Sequence, residues 1–352
     1  MATGRRATEW LHRLSQPDTL YSMLRKLMVA FFGLILVVLG GGFTYLSLRQ
    51  PAQQPASNIK VSMAPERIAR GRYLFEQLAD CDGCHSQRDF SRIGGPVVPG
   101  GRGRGNVMSG ILVGMPGTIV AANITPDPKT GIGAWTDGEK IRAIRDGVDN
   151  EGRALFPMMP YSNYRNMSDE DVESLVAYMN TLPPVKNPLP QTKVDFPVNL
   201  LIKGVPAPAG AVPPPDRNDA VKYGGYLVAM AGCGTCHTPF EKGAPIVGKE
   251  FAGGETFNTS LGNVVSSNIT PEMETGLGKW SEEFFLKKFY DYKEYAAGPP
   301  PASGPEAFTL MPWLSFSQLP PEDLKAIYAF LRTLKPVHNG VETHPGAPKK
   351  AQ

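Results

Sequence analysis

Cys81-Asp82-Gly83-Cys84-His85 and, 152 residues later, Cys233-Gly234-Thr235-Cys236-His237 decide how this chain is read. The two pentapeptides hold all four cysteines of its 352 residues. Two thiols separated by two residues can add to both vinyl groups along one porphyrin edge. A histidine directly after them can swing its imidazole beneath the ring to the iron. Other Cys-x-x-Cys chemistries fit less well. A redox dithiol belongs in a βαβ setting, and little in this sequence alternates as strands would. A shared zinc favours a short separation between the pairs. The reading is therefore two covalently bound haem c groups, one on Cys81, Cys84 and His85, the other on Cys233, Cys236 and His237.

Outward from the motifs, the sequence repeats. Gly71, Tyr73 and Leu74 return as Gly224, Tyr226 and Leu227. NITPDPKTGIGAWTDGE at 123–139 returns as NITPEMETGLGKWSEE at 268–283, ALFPMMPY at 154–161 as AFTLMPW at 307–313, and DEDVESLVAYMNTLPPV at 169–185 as PEDLKAIYAFLRTLKPV at 321–337. The first copy has seven extra residues between its histidine and Asn123; the second has seven extra between Trp280 and Met311. A duplicated unit of this kind implies two similar domains, expected at 65–184 and 217–338. Ten prolines between 183 and 216 mark 185–216 as an extended linker, and 339–352 is left as a tail.

Each copy reads as mainly α. A helix leads into the motif, with Ala69, Tyr73, Leu74 and Leu78 as its apolar stripe. A capping box starts a helix at Thr136 and Glu139, and Ser281 gives a comparable start. Closing helices run over 168–182 and 321–334. Val172, Leu175, Val176 and Met179 face inward in one, and Leu324, Ile327, Tyr328 and Leu331 in the other.

The repeat also narrows the sixth iron ligand among 13 methionines. Met159 and Met311 each lie 74 residues past their histidine and are followed by Pro and an aromatic. Met158 aligns with Leu310 and reads as packing; Met108, Met115 and Met273 have no aligned partner. The metal ligands expected are thus His85 and Met159, and His237 and Met311. Trp135 and Trp280 suit a haem wall or plain core equally. Asn123 and Asn268 open Asn-Ile-Thr sequons, but their matched positions favour a structural turn. Arg88, Arg92, Arg102 and Arg104 fall in the first-copy loop and read as solvated. His12, His338 and His344 read as surface residues.

Residues 27–48 carry no charge and would span about 33 Å as a helix. Arg25 and Lys26 precede them, so the positive-inside rule keeps 1–26 in the cytoplasm and exports the rest. A retained anchor is favoured over a cleaved signal because the apolar run is long and no small-residue cleavage site follows closely. Residues 49–64 read as a flexible tether. The first 50 residues hold six basic and two acidic groups, the other 302 hold 30 and 31. The body lacks the positive excess a nucleic-acid partner would need.

CHTP at 236–239, the two NITP motifs, the 131–149 and 158–179 segments and FPVNLL at 196–201 resemble the membrane-anchored cytochrome c subunits of periplasmic alcohol, aldehyde and gluconate dehydrogenases. The likeness covers most of 65–337; those subunits usually carry three haems, whereas two CxxCH motifs stand here. The resemblance implies two tandem class I cytochrome c domains behind one N-terminal transmembrane helix, on the periplasmic side of a bacterial inner membrane. It also implies electron transfer rather than catalysis, with no catalytic residues. Partners would be a dehydrogenase or quinol-oxidising complex, and a terminal oxidase or another cytochrome. The alternative is a di-haem enzyme, a peroxidase or a thiosulfate-oxidising cytochrome, which needs one iron to lack or release its methionine.

Overall fold

The computed structural model describes residues 17–241, 243–303 and 308–345, with side chains from residue 20 onward. Residues 1–50 and 51–352 are separate compact units. Among its described residues the first forms one helix, α1 (Pro17–Leu48). It begins ten residues earlier than the charge-free run, so Arg25 and Lys26 are helical. Among the described residues it is the helix long and apolar enough to cross a membrane. Arg5, Arg6, His12 and Arg13 lie outside the described residues.

The second unit holds both repeats. In the first, α2 (Pro65–Tyr73) runs into a π-helical turn, Leu74–Leu78. The motif turn α3 (Asp82–His85), α4 (Asp137–Asp146), α5 (Tyr161–Tyr164) and α6 (Asp169–Thr181) follow. After a short linker helix, α7 (Val198–Leu201), the second copy repeats the order. Its helices are α8 (Ala220–Met230), α9 (Cys233–His237), α10 (Glu282–Tyr290), α11 (Lys293–Ala297), α12 (Trp313–Phe316) and α13 (Pro321–Leu331). Among the described residues strands do occur, as four antiparallel pairs of two to four residues each in the loops. Segments that short carry too few residues to register as alternation.

Local chemistry explains the helix starts. Thr136 Oγ1 accepts from the Glu139 amide, and Glu139 Oε2 accepts from the Thr136 amide at 2.7 Å, a complete capping box. Ser168 caps α6 and Ser281 caps α10 through their hydroxyls. The inward faces are as the periodicity expects: Val172, Leu175, Val176, Met179, Leu324, Ile327 and Leu331 are buried, and Tyr328 is partly buried.

The helix before each motif crosses the closing helix at a glycine. A Cβ on Gly71 would sit 1.9 Å from Ser174 O, and one on Gly224 would sit 1.8 Å from Ala326 O. Only glycine lets the two backbones approach so closely. The repeat offset is 153 residues at these glycines and 152 at the cysteines. The π-turn takes up that extra residue, its wider winding keeping Leu74, Phe75 and Leu78 fully buried.

The repeats are not beads on a string: most of their buried apolar side chains form one connected cluster drawn from both copies. Across the junction Tyr73 donates to Asp323, and Tyr226 donates to Asp171 at 2.6 Å, a reciprocal exchange between matched positions. Arg70 holds Asp171 with two hydrogen bonds of 2.7 and 2.8 Å. The two compensating insertions also meet. The Ile93 amide donates to Pro301 O, the Ser303 amide to Ser91 O, and Phe90 packs edge-on against Phe308.

The segment at 49–64, read as a flexible tether, and the extended linker are both fastened. The Val61 amide donates to Asp137 Oδ2 at 3.0 Å, and Gln54 Nε2 to Ala209 O. The linker is irregular but tied to the first copy: Arg145 donates to Gly210 O, Arg165 to Ala207 O, and the Ala209 amide to Asp146 Oδ1. Backbone groups of these segments find partners on the domain, so neither swings as a free tether.

Candidate haem-binding sites

Each motif forms a short helical turn that presents two cysteines and a histidine. All four thiols are free, none in a disulfide. Burial pushes Cys84 and Cys236 up to about 11 and Cys233 to about 12. A redox-active dithiol instead needs one thiol held low. Among the described residues no group of three metal-ligand side chains within ligating reach includes a cysteine. The zinc and dithiol readings therefore lose their geometry.

The histidines are held identically. His85 Nδ1 lies 2.8 Å from Ala122 O, and His237 Nδ1 lies 2.7 Å from Ser267 O. A carbonyl only accepts, so Nδ1 carries the proton and Nε2 keeps its lone pair for a metal. Burial lowers the pKa of both rings, which favours the neutral form a metal ligand requires.

What supplies those carbonyls is the Asn-Ile-Thr turn, since Ala122 and Ser267 each precede its asparagine. Asn123 Oδ1 accepts from the Thr125 amide and hydroxyl, and Asn123 Nδ2 donates to Val185 O and Thr130 Oγ1. Asn268 repeats every bond with Thr270, Val337 and Thr275. At 3% and 4% exposure these asparagines cannot serve as glycosylation sites in the folded protein. The network continues to Asn187 and Asn339, whose amides donate to Thr130 and Thr275. Asn268→Ala would leave buried backbone and hydroxyl groups unpaired, at a cost of about 2 kcal/mol. The expected result is a lower melting temperature and a second haem more easily lost in denaturant, read by Soret absorbance.

The methionines also match. Met159 and Met311 are half-buried and packed on the main core; Tyr161 and Trp313 amides donate to their carbonyls, each at 2.8 Å. Met158 lies instead with Cys84 in a smaller cluster around Met108, Ile119 and Ala121. Trp135 and Trp280 pack against the core.

The first-copy arginines are not a solvated set. Arg88 donates to Gly94 O and Gly95 O at 2.5 Å, Arg102 bridges Asp82 and Glu76, and Arg92 reaches Pro300 O. Arg104 Nε is buried without a hydrogen-bond partner. These side chains fold the loop onto the protein because it borders both copies. His338 is exposed as expected, but His344 is half-buried with Nε2 on Phe308 O at 2.7 Å. Glu272, Glu274 and His338 form a cluster of metal-ligand type. Glu272 is already engaged by the Thr275 and Glu274 amides, as Asp127 is in the first copy by Thr130 and Lys129.

The two sites neighbour each other. The post-methionine helices cross over, with α5 against α8 and α12 against the π-turn. Asn163 Nδ2 donates to Thr235 Oγ1 within the second motif, and Ser315 Oγ donates to Asp80 beside the first. The Cys236 thiol adds to the upward push on Cys84.

Free paired thiols and an imidazole with Nε2 open make a donor set that fits haem c in both copies. Two such sites in tandem define a di-haem c-type cytochrome. The chain belongs to the cytochrome c family, whose model matches residues 68–183 and 221–335, and it carries two covalently bound haem c groups. It is 33% identical over 80% of its length to the fructose dehydrogenase cytochrome subunit of Gluconobacter japonicus, and that match covers 55% of the relative. It is 31% identical over 77% of its length to the alcohol dehydrogenase (quinone) cytochrome c subunit of Gluconacetobacter polyoxogenes, covering 56% of it. The chain thus spans about half the length of these subunits. A diheme cytochrome c-type protein of Cereibacter sphaeroides is 32% identical over 75% of the chain and is covered over 84% of its own length.

Proposed function

We propose that this chain is the electron-transfer cytochrome c subunit of a membrane-bound dehydrogenase or quinol-oxidising complex. It would hand electrons to a terminal oxidase or another cytochrome. Cys81, Cys84, His85 and Met159 hold one haem, and Cys233, Cys236, His237 and Met311 the other. The observation that carries the reading is the duplicated histidine geometry, Nδ1 pinned to a backbone carbonyl in both copies.

Bound haem would supply a one-electron couple. The thiols would hold it covalently, His85 and His237, oriented by the Ala122 and Ser267 carbonyls, would each ligate an iron, and Met159 and Met311 would be the second protein ligands. An iron held by both a histidine and a methionine would leave no place for substrate, which suits transfer rather than catalysis. The adjacency of the motifs supports exchange between the two sites. The relatives named as dehydrogenase cytochrome subunits support the partner class.

Helix α1 is read as a retained anchor in a bacterial inner membrane, with the haem domains in the periplasm. Replacing residues 1–48 with a cleavable export signal is expected to yield a soluble protein with two haems. Fractionation and a pyridine haemochromogen assay check this; retention in salt-washed membranes would refute anchoring by α1 alone. Co-purification from solubilised membranes tests the partnership: a dehydrogenase or quinol-oxidising subunit in stoichiometric amount is expected. Its absence, with rapid peroxide turnover by the isolated chain, would overturn the reading.

A further inference from the structure

Asp80 stands immediately before the first haem motif in the left-handed backbone region, which glycine adopts freely and aspartate or asparagine only occasionally. Its φ is 43°, one of two positive values among the described non-glycine residues. The second copy has Gly232 at the matched place, with φ 68°. The first copy thus keeps a carboxylate where the second has glycine.

The carboxylate's surroundings indicate a use. Oδ2 lies over the motif itself, 2.5 Å from where a Cβ on Gly83 would stand. Oδ1 accepts from Ser315 Oγ at 2.6 Å, four residues past Met311 in the other copy. Arg88 Nη1 is 3.9 Å away, too far for a hydrogen bond, and its guanidinium is committed to Gly94 O and Gly95 O. The side chain of Asp80 is 13% exposed. The next acid, Asp82, is differently placed, hydrogen-bonded to Ser86 and paired with Arg102 at 3.0 Å. Burial lifts the Asp80 carboxyl to about 6, which leaves it anionic at pH 8.

We propose that Asp80 is a potential-setting residue for the first haem, its buried negative charge favouring the oxidised iron and lowering that haem's potential relative to the second. The inference rests on the reading of Cys81–His85 as a haem site. An oxidised haem iron carries one more positive charge than a reduced one. A fixed anion close by, only partly offset by Arg88, therefore stabilises the oxidised state. The Ser315 bond holds that anion from the opposite copy, so docking of the two repeats also fixes where the charge sits.

The test is a spectroelectrochemical titration of the full chain at pH 8, the first-haem wave being the one that Met159→Ala displaces. Asp80→Asn keeps the shape and tolerates positive φ. It is expected to shift the first-haem reduction equilibrium about tenfold toward the reduced form, about 59 mV for a one-electron couple. The second wave should move by less than about threefold. Asp80→Gly, which copies Gly232 and removes strain as well as charge, is expected to raise the first wave by a similar amount. That agreement separates charge from strain. Gly232→Asp, where an added Cβ meets nothing within 4 Å, is expected to lower the second wave. With both haems present, a first wave that stays put or falls in Asp80→Asn overturns this inference and leaves the proposed function standing. A wild-type chain lacking haem on Cys81 and Cys84 overturns both.

Discussion

Met159→Ala and Met311→Ala are each expected to lower the potential of one haem by about 0.1 V, within the roughly 0.8 V range that axial ligands command. The other wave should stay put. Thioether sulfur favours reduced iron, so its removal stabilises the oxidised form. The freed position should also bind cyanide at one haem of the two, seen as a change in half of the Soret amplitude. Met158→Ala is the control. Its side chain belongs to the Met108 cluster, so its loss is expected to leave both waves in place. An unmoved titration in Met159→Ala, with a displaced wave in Met158→Ala, would transfer the ligand role to Met158.

The second large effect is structural. Gly71→Ala and Gly224→Ala would each push a methyl into a backbone carbonyl less than 2 Å away. No rotamer relieves that, so the helices must separate. The expected loss is about 3 kcal/mol in unfolding free energy, measured by denaturant titration. Haem content should fall at the affected motif, since these helices set where it points. Gly110→Ala, with nothing within 4 Å of the added carbon, is expected to be nearly neutral. Equal stability of Gly71→Ala and Gly110→Ala would refute the close crossing.

Much of this was legible in the chain because duplication filters chance. Side chains that occur twice at matched spacing, such as Asn123 and Asn268 or Thr136 and Ser281, turned out to bond alike. The glycine crossings were visible as Gly71 and Gly224, but their role needs three dimensions: sequence reports a missing side chain and not what approaches it. The fastening of the linker and of the segment at 49–64 escaped the sequence for a related reason. Their anchors are carbonyls such as Ala207 O, Ala209 O and Gly210 O, or amides such as that of Val61. Every residue type offers these groups, so composition cannot mark them. The arginines of the first-copy loop failed similarly, because their acceptors include Gly94 O, Gly95 O and Pro300 O. The π-turn was present as a change of offset from 153 to 152, a signal in the alignment that periodicity ignores.

The paired insertions bear on ancestry. The lengthened segment of each copy meets that of its twin, through Ile93 and Pro301 and through Ser91 and Ser303. A lengthening in one half is sheltered only once the other half lengthens too. Chimaeras that join halves from differently proportioned parents would leave one flap uncovered. Descendants are therefore expected to inherit the two extensions as a linked pair, gained or shed together.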